Sequence, residues 1–192
     1  MIQFKEIEFK YKADNISLEG FRTFCEARNP RKTIQASGFD YFFDNAKDPD
    51  SFYRHRVGAD TNQLTYKKKK SDVNNVIRDE QNVNLDPKET PEHVRAFLAR
   101  FKYNFNTALF KTCFVYNYDK YTLVYYICYD TGMKELGRFI EIEMSEEHSW
   151  ATEQEAYGEL VIIEKLCKEI GLTPQNRVRR SLYEMFCKER NK

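Results

Sequence analysis

Two carboxylates and an amine alternate near the start of the chain, in Glu6-Ile7-Glu8-Phe9-Lys10. A second carboxylate pair alternates much later, in Phe139-Ile140-Glu141-Ile142-Glu143. Successive side chains of a β-strand point to opposite faces, so Glu6, Glu8 and Lys10 share one face and Ile7, Phe9 and Tyr11 the other. Three charges backed by three large apolar groups describe a strand with one face on the core and one on a wet, charged interior. Four carboxylates converging there repel one another unless a counter-charge joins them, and their hard oxygen donors suit a divalent cation.

Basic residues follow the same alternation. Arg54 and Arg56 alternate in Phe52-Tyr53-Arg54-His55-Arg56-Val57, and Lys67 and Lys69 in Leu64-Thr65-Tyr66-Lys67-Lys68-Lys69. Arg78 and Glu80 alternate in the strand after that, Lys111 lies in a sixth apolar-rich strand, and Asp130 closes a seventh. One such pair alone is usually a solvated strand face. Repeated on strand after strand, with acidic pairs on the first and last, the pattern needs only one assumption, a charged lumen. Lys67 and Lys69 are expected inside because Leu64 and Tyr66 take the opposite face, while Lys68 and Lys70 are expected in solvent. Glu80 fits either an ion pair that orients Arg78 or a metal ligand. His55 falls with Tyr53 and Val57 on the outer face, where packing is its expected role. Trp150, Tyr116, Tyr118, Tyr125 and Tyr129 are likewise expected to pack outside.

The elements that must position these groups are strands near 3–11, 37–43, 51–58, 62–70, 75–85, 107–118, 121–130 and 135–145. Eight is the number at which a closed antiparallel barrel holds side chains or one small ligand. Turn chemistry in Asn117-Tyr118-Asp119-Lys120 and Thr131-Gly132-Met133 makes the last three strands a meander. Helices are expected from Ser17 to Arg28, from Thr90-Pro91 onward, from the capping box Thr152-Glu153-Gln154-Glu155 to a Gly171 cap, and at Ser181–Phe186. Ala156, Leu160, Ile163, Leu166, Cys167 and Ile170 recur at helical spacing and predict one stripe packed on the outside of the sheet. The fold class is therefore α+β, an eight-stranded antiparallel barrel with external helices, in one domain spanning 1–192.

Composition sets the outer bounds. The chain has 192 residues, 31 basic and 30 acidic, for a net charge of +1, so any anion site must come from local arrangement. Five cysteines, odd in number and without C-x-x-C spacing, read as reduced thiols in a cytoplasmic protein. The N-terminus enters a charged strand directly, so no leader is expected. The apolar run near Leu123–Tyr129 is too short to span a bilayer. Neither a membrane nor a DNA duplex is an expected partner, and monomer and homodimer both stay open.

Glu6-Ile7-Glu8-Phe9-Lys10 resembles the ExExK signature of the CYTH superfamily, the triphosphate tunnel metalloenzymes. Arg54-His55-Arg56 is similar to the arginine pair of that family's third strand, and Leu64-Thr65-Tyr66-Lys67 to its fourth-strand lysine motif. Arg78-Asp79-Glu80 is similar to its fifth-strand motif, and Leu136-Gly137-Arg138-Phe139-Ile140-Glu141-Ile142-Glu143 to its late acidic motif. Arg180-Ser181-Leu182-Tyr183-Glu184 resembles its C-terminal segment, with Leu and Tyr exchanged. The resemblance covers nearly the whole chain. It departs at Cys113, where the family often carries a second basic residue two positions after the sixth-strand lysine, Lys111 here.

The resemblance implies Mg²⁺ or Mn²⁺ held by Glu6, Glu8, Asp130, Glu141 and Glu143. It implies phosphate binding by Lys10, Arg54, Arg56, Lys67, Lys69, Arg78, Lys111 and Arg180, with Glu6, Glu8, Lys67, Glu141 and Glu143 as the catalytic set. Arginines offer planar bidentate donors to phosphate oxygens and lysines mobile point charges, while carboxylates act on phosphate through a metal. The implied activity is hydrolysis of a triphosphate: inorganic tripolyphosphate, thiamine triphosphate, a nucleotide or an RNA 5′-triphosphate. Two alternatives use the same residues, a class IV type adenylate cyclase and a non-catalytic nucleotide or polyphosphate binder.

Overall fold

The structure, a computed structural model, describes residues 4–69, 77–144 and 152–187, and leaves the side chains of residues 4–6, 69, 77, 78 and 153 undescribed. Its strands are β1 (Phe4–Lys12), β2 (Lys32–Asp44), β3 (Ser51–Gly58), β4 (Asn62–Lys69), β5 (Ile77–Asn84), β6 (Asn104–Asn117), β7 (Tyr121–Tyr129), β8 (Glu135–Met144) and β9 (Arg177–Val178). They form one antiparallel nine-stranded sheet in the order β5-β4-β3-β2-β6-β7-β8-β1-β9. The helices are α1 (Leu18–Glu26), α2 (Pro91–Ala99), α3 (Glu153–Leu166) and α4 (Leu182–Phe186), making the class α+β.

β1 divides its length between partners. Its first half pairs with β5, from Phe4↔Glu80 to Ile7↔Ile77, and its second half with β8, from Glu8↔Glu143 to Lys12↔Phe139. β2 starts at Lys32, well before the expected residue 37, and pairs with β6 from Lys32↔Asn117 to Asp44↔Asn104. The added stretch is mostly exposed and polar, so it carries no apolar alternation to read. Gly38 and Gly58 face each other across β2 and β3, and a Cβ on Gly38 would lie 2.3 Å from the Val57 carbonyl oxygen. Only glycine permits that approach.

The outer faces of β1, β7 and β8 hold the core. Phe9, Tyr11, Tyr125, Ile140 and Ile142 pack against Phe21, Phe24 and Cys25 of α1 and Ala156, Leu160 and Ile163 of α3. Each large apolar side chain buried this way contributes about 1.5–3 kcal/mol. Ser17, Thr90 and Thr152 cap α1, α2 and α3 by accepting from the backbone N–H groups of Gly20, His93 and Glu155. After α3 the chain tightens into a 3₁₀ turn over Cys167–Ile170, ended by Gly171 at φ 88°. Leu166, the last residue of α3, lies to one side of the buried stripe and is exposed, contrary to the sequence expectation. Among the described residues no helix is long and apolar enough to cross a membrane.

The short β9 has a clear anchor. The Arg177 guanidinium lies 3.6 Å from the centroid of the Phe9 ring and bonds Glu164 of α3, whose Oε1 also accepts from the Tyr11 hydroxyl at 2.5 Å. These contacts fasten the C-terminal segment across β1 and deliver Ser181–Tyr183 to the inner face of the sheet.

Candidate functional site

The inner faces of the strands surround a cavity of about 560 Å³. β1 gives it Glu8 and Lys10, β3 Arg54 and Arg56, and β4 Lys67; β5 adds Glu80, β6 Lys111 and Cys113, and β8 Glu141 and Glu143. The alternation read from the sequence holds here, since Lys67 is buried on the cavity while Lys68 is exposed. His55, between the two arginines, turns to the other face, where its ring lies 6.0 Å from that of Tyr41 and its Nε2 pairs with Asn62 Oδ1 at 2.7 Å.

Register explains the acidic cluster. Glu8 faces Glu143 and Lys10 faces Glu141 across β1 and β8. Ligand oxygens of Glu8, Glu141 and Glu143 all lie within 4.8 Å of one another, on elements fixed by the core behind them. Lys10 Nζ stands 3.0 Å from both Glu8 Oε1 and Glu141 Oε1. Tyr126 donates to Glu141 at 2.9 Å, and the face of its ring carries Lys111 Nζ at 4.0 Å from the centroid. Burial opposes ionisation of Glu141, yet Lys10 and Lys111, with hydrogen bonds from Lys10 and Tyr126, hold its carboxyl well below the usual range. Three clustered carboxylates form a hard oxygen donor set that fits a divalent cation.

The basic wall carries two carboxylates of its own. Glu80 accepts an ion pair from Lys67 at 2.8 Å and lies 3.8 Å from Arg54, so Glu80 belongs with the cations. Arg54 Nη2 also donates to Thr65 at 3.2 Å. Asp40, buried on β2, accepts from Arg56 and sits 3.9 Å from Lys111. Sequence reasoning missed Asp40, Tyr126, Ser181 and Tyr183. For Asp40 a signal was present, a lone carboxylate within Phe39-Asp40-Tyr41-Phe42-Phe43 at the alternating position of an inward face.

Two expected residues are not brought to the cavity. Asp130 follows the end of β7, and its Oδ1 accepts from the backbone N–H groups of Gly132 and Lys134, which closes the turn to β8. Arg180 is exposed just before the cavity-lining Ser181. The side chains of Glu6, Lys69 and Arg78 lie outside the described residues, although the backbone register sets Glu6 opposite Arg78 and Lys69 opposite Arg78.

No family model and no curated protein matches the chain. Solved structures do. A conserved hypothetical protein from Pyrococcus furiosus is 22% identical, covers 94% of this chain and 99% of its own, and superposes with a TM-score of 0.73. A candidate adenylate cyclase from Vibrio parahaemolyticus is 14% identical over 96% of this chain and 98% of its own, with a TM-score of 0.69. Another from Bacillus halodurans is 15% identical over 95% and 98%, at 0.57. The chain has the CYTH-type fold. At these identities the likeness is one of fold, and the chemistry must be argued from this chain's own cavity. There Cys113 lines the wall two residues after Lys111, and burial pushes its thiol up, so it stays neutral and adds no charge.

Proposed function

We propose that the chain is a divalent-cation-dependent hydrolase that binds a triphosphate in a closed β-tunnel. The observation that carries this reading is that Glu8, Glu141 and Glu143, with Lys10 among them, share one cavity with Arg54, Arg56, Lys67 and Lys111. The β1–β5 pairing supports closure, because it joins the far end of the strand order back to β1 around an eight-strand ring. A pure anion binder gains nothing from the acidic cluster, whereas phosphoryl transfer needs both walls.

Glu8, Glu141 and Glu143 would hold Mg²⁺ or Mn²⁺, which when bound supplies Lewis acidity toward phosphate oxygens and a more acidic water. Arg54 and Arg56 present guanidinium forks to the phosphate oxygens, and Lys67 and Lys111 add point charges. The low-dielectric walls of the cavity strengthen these contacts relative to open water. As water attacks phosphorus and the bridging P–O bond breaks, the leaving oxygen takes the bonding pair, the water's proton passes to solvent, and the cations of the wall stabilise the charge that develops. Tyr126 and Lys10 keep Glu141 ionised and fixed in place.

A second reading has its own support, since two solved structures of this fold are described as candidate adenylate cyclases. The test separates the two. Purified protein is incubated with Mg²⁺ or Mn²⁺ and tripolyphosphate, thiamine triphosphate or a nucleoside triphosphate. Orthophosphate release that stops with EDTA is the expected result. Pyrophosphate with a cyclic nucleotide supports the cyclase, and no turnover of any probe leaves the binder.

A further inference from the structure

We infer that the C-terminal end of α2 and the turn after it dock the protein on a lipid surface rich in anionic headgroups, with Phe97 and Phe101 as the apolar contact and Arg100 and Lys102 as the charges. α2 packs inward through Val94 and Leu98, which cluster with Phe43, Tyr41, Tyr53 and Leu64 on the outside of the sheet. No residue of α2 lines the cavity. The rest of the helix is bare. Phe97 is 55% exposed and Phe101 59%, and their ring centroids lie 5.2 Å apart. Arg95, Ala99, Arg100 and Lys102 are exposed as well.

The tip that carries these side chains is held in place. Past Ala99 the helix closes with hydrogen bonds from the Lys102 N–H to the Ala99 carbonyl and from the Tyr103 N–H to the Leu98 carbonyl. A turn of this kind puts one residue in the left-handed region, where glycine is the usual choice. Here that residue is Lys102, at φ 65°, so a cation stands where a side chain is disfavoured. Tyr103 then fastens the turn to the sheet. Its ring meets Tyr53 edge-on at 4.8 Å, and its hydroxyl lies 2.9 Å from Ser51 Oγ. Phe105 follows, with the Arg95 guanidinium 5.1 Å from its ring centroid. A preorganised tip loses little freedom on contact.

Charge selects the partner. No carboxylate occurs in the sequence between Glu92 and Asp119. Asp44, opposite Asn104 in the β2–β6 register, is turned onto Asn106 and Tyr183, and Asp48 onto Ser51. The tip is therefore cationic and aromatic on a chain whose net charge is only +1. Aromatic rings beside Lys and Arg suit the headgroup layer, and each cation there strengthens binding to anionic lipid about fivefold. Contact in the headgroup plane needs no spanning segment. A second copy meeting the same patch would set Arg100 and Lys102 against themselves. Single-stranded nucleic acid needs open, flat ring faces for its bases, whereas Phe97 and Phe101 lean on each other at 58°.

Sedimentation of the full chain with vesicles of phosphatidylcholine, alone or mixed with phosphatidylserine, tests this. Binding is expected only to the phosphatidylserine vesicles, and it should weaken as salt rises. Arg100→Gln with Lys102→Gln should lower the partition about twentyfold or more, and Phe97→Ser with Phe101→Ser about tenfold or more. All four side chains are exposed, so Tm should not change. Lys165→Gln with Lys168→Gln removes the same charge from exposed positions on another helix and should have little effect. No binding to phosphatidylserine vesicles overturns the assignment, as does an equal loss in the Lys165 and Lys168 pair. Retention of poly(U) RNA in place of vesicles, or a dimer that the two Phe substitutions abolish, would give the tip a different occupant and overturn it too.

Discussion

Asp40 and Arg56 stand directly opposite each other on β2 and β3, and the Asp40 carboxylate accepts from Arg56 Nε at 2.7 Å and Nη2 at 2.9 Å. A two-point contact of this kind fixes the plane of the guanidinium as a single ion pair cannot. Burial opposes the charge on Asp40, but Arg56, Lys111 and Arg54 together hold its carboxyl well below the usual range. Asp40→Asn keeps the shape and releases that plane. Turnover of triphosphate should then fall about tenfold, with a smaller change in KM, as misaligned phosphate contacts would cause. Steady-state kinetics on a variant of unchanged Tm checks this, and an equal fall in kcat and rise in KM would count against a positioning role.

Arg54→Ala and Arg56→Ala should each weaken triphosphate about ten- to a hundredfold, the worth of a charged hydrogen bond, and monophosphate far less. Arg56→Ala also leaves Asp40 as a buried charge without its main partner, at a cost of about 3–5 kcal/mol in stability. Titration calorimetry paired with urea melts separates the two effects. Equal weakening for both ligands would describe a general anion patch.

Lys67 and Lys68 give a parity test on β4. Lys67→Ala should cut activity by at least about a hundredfold, since it removes a charged donor and leaves buried Glu80 without its 2.8 Å partner. Lys68→Ala, at an exposed position, should stay within about 0.5 kcal/mol of the parent in stability and retain activity. The reverse pattern would mean the strand runs out of register in solution.

Glu141→Gln should abolish turnover while sparing most of the tripolyphosphate binding, because it removes a ligand of the acidic cluster and no cation. Activity that persists in this variant, or in EDTA, would remove the metal from the mechanism.

Glu80 sets an acid limit. Burial raises its pKa, but Lys67, Arg54 and the hydrogen bonds from Lys67 and Asn82 prevail and lower it from 4.5 to about 2. Its ionised form therefore contributes stability that is complete above pH 4.5 and is lost as pH falls toward 2. The gap in unfolding free energy between parent and Glu80→Gln should be constant from pH 5 to 7 and shrink below 4.5. A gap that persists at low pH would assign the loss to packing.

Much of this site could be read from alternation alone, because a strand with a buried outer face fixes the parity of its inner one. Glu8, Lys10, Arg54, Arg56, Lys67 and Glu141 all face the cavity where that parity puts them. Position along the strand was harder. Asp130 has the right type but falls one residue past β7, where turn N–H groups claim its oxygen. Asp40 carried the right parity, but its role rests on Arg56, sixteen residues away, a partner that only the pairing of β2 and β3 brings to it. β9 is two residues long and held by Arg177 on Phe9, a tertiary contact with no local pattern. Leu166 falls on the flank of its stripe, about 80° around α3 from Ala156 at 100° per residue, so its apolar type alone did not place it inside.

β1 is made first and finds its partners in β5, β8 and β9. On the ribosome it must wait, with its edges unmet, until most of the chain has emerged, and such long-range pairing is slow and open to aggregation. The basic strands β3 and β4 pair early by a short hairpin, while Glu141 and Glu143 arrive only with β8. A chain stalled before β8 therefore presents its cations with Glu8 but without Glu141 and Glu143, two of the three carboxylates of the acidic cluster. In that state the cations still have Asp40 and Glu80 beside them, and the arrival of β8 is what sets a second, acidic wall across from them.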